Sequence, residues 1–533
     1  MTAAVALNRF GLGARPGEIA AVRPDPRGWL HAQLRPEAAL PAPMAALPST
    51  VDDLGAFRKW TAELARSARA RGMDPATMRS APADRRRATT IGSMAGAAAG
   101  DDNNNGDDVA SAAASMRAQA SGMSRIGADG LSVEGSFKQV FGPRHARALK
   151  ARIDVAVATE RPFFERLVHF WSNHFVVSGA KPGAIAMPPS FERDVIRPHV
   201  TGRFVDMLLA STKHPAMLFY LDNLLSIGPT SALAQNPALR RRPAQQDFAI
   251  PRSIGLNENL AREILELQTL GARGGYDQAD VTSLARIITG WTIARPPRVS
   301  YARLMLQGRL NGPGLFDFDP DAHEPGVHRL LGVAYAQPGV AQGEAALRAL
   351  AAHPSTARFI ASKLARHFVA DDPPPEVVER LASVFLDTDG DLARVCGALV
   401  DLPQGLLQPL QKFKTPQEFL VSAARGLPGL DIDATRLQRT LANLGQVVYN
   451  PPGPNGWPDV EAEWLGADAV WKRFLWAGEA ASAAASGTLA PAALARELLG
   501  DTVSAATLQA IERAESPTQG LTLLLASAEF QRR

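Results

Sequence analysis

The chain has 533 residues, 46% of them hydrophobic, 21% charged and 6% aromatic, with a formal net charge of +4. So slight a positive balance over this length, with five tyrosines and no alternation of Arg with aromatic residues, argues against a nucleic-acid-binding surface. A lone cysteine, Cys396, excludes an internal disulfide and a multi-cysteine zinc site, and no run of about 18 apolar residues is present to span a membrane.

Alanine, leucine and arginine dominate, which favours helix over sheet. The expected fold is all-α: a large multi-helical, bundle-like body with one or two short β-hairpins. Residues 1–74 read as an N-terminal helical segment, with a Gly/Pro loop at "FGLGARPGE" and a helix beginning at "PRGWLHAQL". The first residues lack the charged-then-apolar layout of an export signal, and Arg85-Arg86-Arg87 is too internal to be a twin-arginine signal. A cytoplasmic location is therefore expected. Residues 75–133 are rich in Ala, Gly, Asp, Asn and Ser and carry too little apolar surface to offset their ordering entropy, so a disordered insert is expected there. Residues 134–426 read as the main helical domain, and 427–533 as a C-terminal helical segment packed on it.

Within the main body, "ERLVHFWSNHFVVS" places Glu165, His169 and Asn173 at successive i+4 steps on one helical face, with His174 elsewhere. Its two histidines are five apart and do not converge as an HExxH zinc pair would. Farther on, "DMLLASTKHPAMLFYL" (206–221) aligns without gaps with "AALRALAAHPSTARFI" (345–360), setting His214 on His353 and Pro215 on Pro354. A proline starts a helix well and pushes the residue before it out of helical geometry, so each phrase reads as helix, sharp joint, helix.

The stretch "GLNENLAREILELQTLG" (255–271) carries apolar residues at helical spacing and an unusual density of polar ones. Asn257 suits an N-cap, and Glu258, Arg262 and Glu266 form an i, i+4, i+8 ladder. Asn259 and Glu263 border the Leu260/Leu267 stripe. Two readings compete: a cap with surface ion pairs, or a buried functional carboxylate. In "GGYDQADVTSLARIITGWT", Gly274-Gly275 is expected to end the preceding helix and Asp277 to cap the next, with Asp280 in its first turn.

Extended loops are expected at 228–254 and 293–335, the second holding a small hairpin of "FDFDP" and "LLGVAY". The alternating acids of "FDFDPDAHEPG" are not an EF-hand, because Ala322 stands where glycine is needed and His328 where glutamate is needed. A divalent metal site of Asp317, Asp319 and His323 stands beside a polar-turn reading. Helices are expected again at 341–371, 374–386, 390–402 and 416–426, and over the tail 467–533. Lys363, Arg366 and His367 in "ASKLARHFVA", and Lys412 and Lys414 in "QKFKTPQEF", offer charge to an anion.

Long phrases in order, among them "VALNRFGLGARPGE", "FWSNHFVVS", "RDVIRPHVTGRFVDMLLASTKHPAMLFYLDN", "ARFIASKLARHFVADDPPP" and "KFKTPQEFLVSAARGL", closely resemble the bacterial domain-of-unknown-function family 1800. The likeness runs over about residues 5–480, with the acidic Ala-rich insert as this chain's own addition. Its genes often neighbour those of a sulfatase-like family, domain of unknown function 1501, which implies a shared pathway; many relatives carry export signals. Relatives commonly read "EILELHTLG" where this chain has Gln268, which keeps that position out of the catalytic set.

The functional expectation is an enzyme-like protein with one polar pocket for a polar or anionic small molecule or glycan. Glu263 and Glu266 are the expected acid/base or metal-binding carboxylates, with Asn259 orienting them and, with Arg262, meeting the substrate. His174 and His214 are the candidate proton carriers, and Lys363, Arg366 and Lys414 the anion contacts. A divalent metal ion is the one cofactor the residues suggest. The competing expectation is a non-catalytic partner or maturation factor of a sulfatase-like protein, which calls for an exposed apolar patch.

Overall fold

Helix follows helix along the described residues, as a composition rich in strong helix formers dictates. The computed structural model describes residues 1–70, 133–181, 184–236, 255–293, 316–403, 406, 410–484 and 490–533. The expected disordered insert, residue 133 apart, lies outside them, as do residues 237–254 and 294–315 of the two expected loops.

Short turns open the chain, including Pro26–His31, whose Asp25 cap accepts from the Gly28 N–H. They lead to α1 (Thr50–Ala70), α2 (Val133–Ala158) and α3 (Pro162–His174). Next come α4 (Phe204–Lys213) and α5 (Pro215–Tyr220), then α6 (Asn259–Glu263), which continues into a wide π turn over Ile264–Thr269. Helices α7 (Gln278–Ile287), α8 (Val340–Ala351), α9 (Pro354–Phe368) and α10 (Pro375–Asp387) follow. The rest of the body includes α11 (Pro416–Gly426), α12 (Ala467–Ala484) and α13 (Pro517–Ala526).

The His-Pro joints form as their sequence requires. His214 (φ −70°, ψ 137°) and His353 (φ −71°, ψ 138°) share one extended geometry, and each Nδ1 accepts the backbone N–H two residues on, at 3.1 Å. The expected helix over 341–371 is therefore two helices, broken at His353. Asp277 caps α7 in a reciprocal box with Asp280, as expected. The helix before it ends differently: Gly271, with φ +80°, follows the last helical turn, and Gly274-Gly275 lies in the turn beyond.

The sheet content corrects one pairing. β2 (Phe316–Phe318) pairs antiparallel with β1 (Trp291–Ile293), not with "LLGVAY"; β3 (His328–Leu330) pairs with β4 (Val333–Tyr335) in a separate hairpin. Trp291 is fully buried and anchors the first ladder, which decides the partner. The region 228–236 holds a helical turn, Ala232–Gln235.

One apolar cluster runs from Ala3 to Phe530, and it includes the N-terminal turns, the central helices and the C-terminal tail. Three buried arginines fasten the opening "NRFGLG" to it. Arg9 donates to the Phe368 and Val369 carbonyls (2.9 and 2.6 Å), Arg166 to Gly11 O (2.6 Å) and Arg425 to Gly13 O (2.8 Å). Each guanidinium satisfies backbone carbonyls that no helix ladder would reach.

Candidate active site

A cavity of about 410 Å³ opens between α3, α9, the start of α11 and the Pro/Gly-rich loop 449–460. The loop, "YNPPGPNGWPDV", cannot hold itself by helical hydrogen bonds, so α3 and its tail hold it. Asn173 donates to Trp457 O and accepts from the Trp457 N–H, both at 2.8 Å, while Gly179 N–H donates to Tyr449 O (2.8 Å). Gly456 sits at φ +82°, where a Cβ would lie 2.5 Å from the Asn173 carbonyl oxygen, so only glycine lets the strap approach this closely.

Three histidines line the cavity, and their hydrogen bonds fix three tautomers. His367 Nδ1 lies 2.6 Å from Asp459 Oδ2, so it carries the proton and leaves Nε2 as a lone pair. The Gln417 amide donates to His169 Nδ1 (3.1 Å), which puts the His169 proton on Nε2, 3.6 Å from Glu165 Oε1. His174 Nε2 faces Gln268 O at 3.1 Å, so its free lone pair is on Nδ1. His367 Nε2, His169 Nε2 and His174 Nδ1 are all buried without a hydrogen-bond partner among the described residues. Desolvation holds all three imidazoles below their ordinary value, His367 to about 4, so all are neutral near pH ~7. Tyr449 Oη and Trp457 Nε1, on the loop, are buried and unpartnered among the described residues too.

The carboxylates at this site are already committed. Burial works to raise Asp459, yet His367, Lys412 and Arg533 hold it well below the carboxylate range. Burial likewise opposes Glu418, yet Arg533 and Arg166 bring it down to about 2; Arg166 Nη1 lies 2.5 Å away and Arg533 Nε 3.0 Å. Glu418 also closes the α11 capping box with Thr415. Glu192 accepts from Ser172 (2.9 Å) and pairs with Arg152 (3.2 Å). These acids order cations and histidines and are poor candidates for chemistry of their own.

Lys363 is different. It lines the cavity at the i−4 position from His367 on α9, with Nζ 5.6 Å from the centre of the Phe359 ring. No ion pair or hydrogen bond holds its ammonium among the described residues, and desolvation lowers it to about 8 against the pull of Asp459. Arg366 stands at the exposed rim and donates to Asp371 O (3.1 Å).

Of the expected site residues, His174, Lys363 and Arg366 are brought together here. Glu263 and Glu266 are not: the π turn sends Leu267 to the cavity and leaves both acids on another side of the helix. Glu263 is half-buried, and desolvation together with Glu266 raises it to about 7; Glu266 bonds to Tyr276. Asn259 is exposed, its N–H donating to Asn257 Oδ1 (2.9 Å), and Arg262 pairs with Glu258 (3.5 Å) and Gln278 (2.8 Å). His214 is buried as the α5 cap, with Nε2 3.0 Å from Thr50 Oγ1. Lys414 is buried behind the cavity, donating to Phe530 O (2.6 Å) over the Phe530 ring.

Asp317 and Asp319 each cap a nearby backbone N–H (2.9 and 3.1 Å), and His323 Nδ1 faces Thr289 O (3.0 Å). Among the described residues no three His, Cys, Asp or Glu side chains gather as a metal site, and no helix is long and apolar enough to cross a membrane. Cys396 is buried, its thiol pushed up to about 12 by desolvation.

Asp459, Trp457 and Tyr449 escaped the reading of the sequence because helical periodicity says nothing about a loop. The available signal was a Trp and an Asp inside a Pro/Gly-rich stretch of an otherwise helical chain, since connecting segments carry function disproportionately. No curated protein and no solved structure matches this chain. The family described as "Protein of unknown function (DUF1800)" matches residues 5–532, essentially the whole sequence, and the chain belongs to that family.

Proposed function

We propose that the cavity is the active site of an acid–base enzyme acting on an anionic small molecule or glycan unit. The observation that carries this is the His367–Asp459 dyad, whose Nε2 lone pair is left unused among the described residues, in a cavity also lined by Lys363, an ammonium with no ion pair among them. A buried carboxylate that fixes the tautomer of a neutral histidine prepares a general base and stabilises the imidazolium formed when it takes a proton. His169, with its Nε2 proton turned toward Glu165, lies close enough to His367 to feel its charge. Arg366, with no ion pair among the described residues, adds permanent positive charge at the rim, so an anion gains from approaching the site.

The test is thermal unfolding with oxalate, sulfate and glucuronate as probes. At least one should raise the melting temperature of the wild type, and Lys363→Met should fold as well as wild type while losing the shift. Wild type indifferent to every probe, or Lys363→Met responding equally, would remove the reading.

A second reading, a partner of a sulfatase-like protein, is favoured by one surface. Val470, Trp471, Phe474 and Leu475 are 42%, 58%, 43% and 49% exposed on one side of α12, with Trp471 stacked on Phe474. Co-purification of the neighbouring sulfatase-like protein with wild type, and its loss from Trp471→Ser/Phe474→Ser, would support that role; unchanged capture by the double variant would end it.

A further inference from the structure

Lys412 and Lys414, both buried near this site, are spoken for. Lys412 bonds to Asp371 and donates to Asp459 O (2.6 Å), and Lys414 donates to Phe530 O. Among the described residues Lys363 has neither a carboxylate nor a carbonyl, although it shares a cavity with two imidazole lone pairs. An anchor for an anion needs no proton acceptors around it, and Arg366 already provides charge that does not titrate. An amine that must lose a proton, attack, and see water leave needs a base beside it. His367 occupies that place, one helical turn from Lys363 on the same face of α9, with His174 close enough to be felt by the same ammonium. The Phe359 ring, its centre 5.6 Å from Nζ, screens one side of the amine from water.

We propose that Lys363 is a nucleophile that forms an imine with an anionic carbonyl compound, of which the 2-oxo acids are the smallest. The proposal rests on the cavity being the active site. In its amine form, Nζ adds its lone pair to the carbonyl carbon, and the carbon–oxygen π pair moves to oxygen. Nζ gives a proton to His367 Nε2, which passes it to that oxygen. The carbinolamine nitrogen then expels the hydroxyl, which leaves as water with the remaining N–H proton relayed through His367, and a carbon–nitrogen double bond remains. One amine and one carbonyl give one imine and one water, with no oxidant or reductant. The substrate's carboxylate meets Arg366 at the rim.

The experiment incubates the full chain with pyruvate and cyanoborohydride, which reduces an imine to a stable carboxyethyl-lysine, and maps the adduct by peptide mass spectrometry. Lys363 should be labelled well ahead of the half-buried Lys150 and the exposed Lys472. His367→Gln should slow that labelling about 100-fold, the size of a typical general-base contribution. L-lactate, which lacks the carbonyl, should give no adduct, and Lys363→Arg none at that position. Labelling of Lys363 no faster than of Lys150 overturns the imine proposal. Where oxalate still raises the melting temperature in that case, the anion site stands and only the nucleophile falls; where oxalate fails as well, both fall.

Discussion

At His367 a single 2.6 Å hydrogen bond sets the chemistry of the neighbourhood, because it decides which nitrogen is basic. Asp459 serves two cations and that imidazole at once, so Asp459→Ala would leave Lys412 with Asp371 alone and Arg533 with Glu418 alone. Its removal should destabilise the protein by about 3–5 kcal/mol, measured by denaturant unfolding, as for other buried ion pairs broken on one side. Glu263 predicts the opposite sign. Its folded value, about 7, lies above that of an unfolded glutamate, so it destabilises increasingly as pH rises from the ordinary carboxylate range to about 7, and fully above it. Glu263→Gln should therefore stabilise by about 1–2 kcal/mol at pH ~8, with the part-solvated carboxylate limiting the gain, and be neutral at pH ~4. Calorimetry of the pair at both pH values checks it; destabilisation at pH ~8 would show that the carboxylate is held by a contact. Glu263 and Glu266 were prominent in the sequence because local spacing shows which side of a helix is polar. What lies opposite that side is decided elsewhere in the chain.

At the scale of elements, the two His-Pro joints were legible because every force in them is local: proline restricts its predecessor, and the histidine reaches only two residues ahead. Each Nδ1 caps the helix that follows, so His353→Ala should cost about 1 kcal/mol. His214→Ala should cost more, since Thr50 loses its partner as well. Equal losses in urea unfolding would mean that the Thr50 bond contributes nothing. The helix over 259–269 was legible in kind and not in register. Its π turn, in which Thr269 Oγ1 bonds back to Ile264 O at 2.6 Å, inserts a residue that no apolar periodicity announces, and so changes which side chains meet the cavity. The strand pairing failed for a related reason. Buried Trp291 selects β2 across a gap of about two dozen residues, and alternation alone names no partner.

Across the whole molecule, the body of helices follows from composition and a 3.6-residue period, whereas the site is assembled from contacts far apart in sequence. His367 meets Asp459 from 92 residues away, and Gln417 and Arg533 reach their partners across 248 and 115. Such pairings leave no trace in a window of one or two turns, which explains why Lys363, Arg366 and His174 could be suspected singly and the loop residues could not. The same long-range closure joins the elements around the cavity: the N-terminal "NRFGLG", α3, α9 and α11 are tied through Arg9, Arg166 and Arg533. The most direct test of the central claim is a nitrogen NMR pH titration of the ten histidines, with His367 assigned by its absence from His367→Gln. The account predicts a single Nδ1–H tautomer for His367, neutral down to about 4, whose Nε2 signal moves on addition of oxalate. A mixture of tautomers titrating at the ordinary imidazole value, and indifferent to the anion, would contradict it.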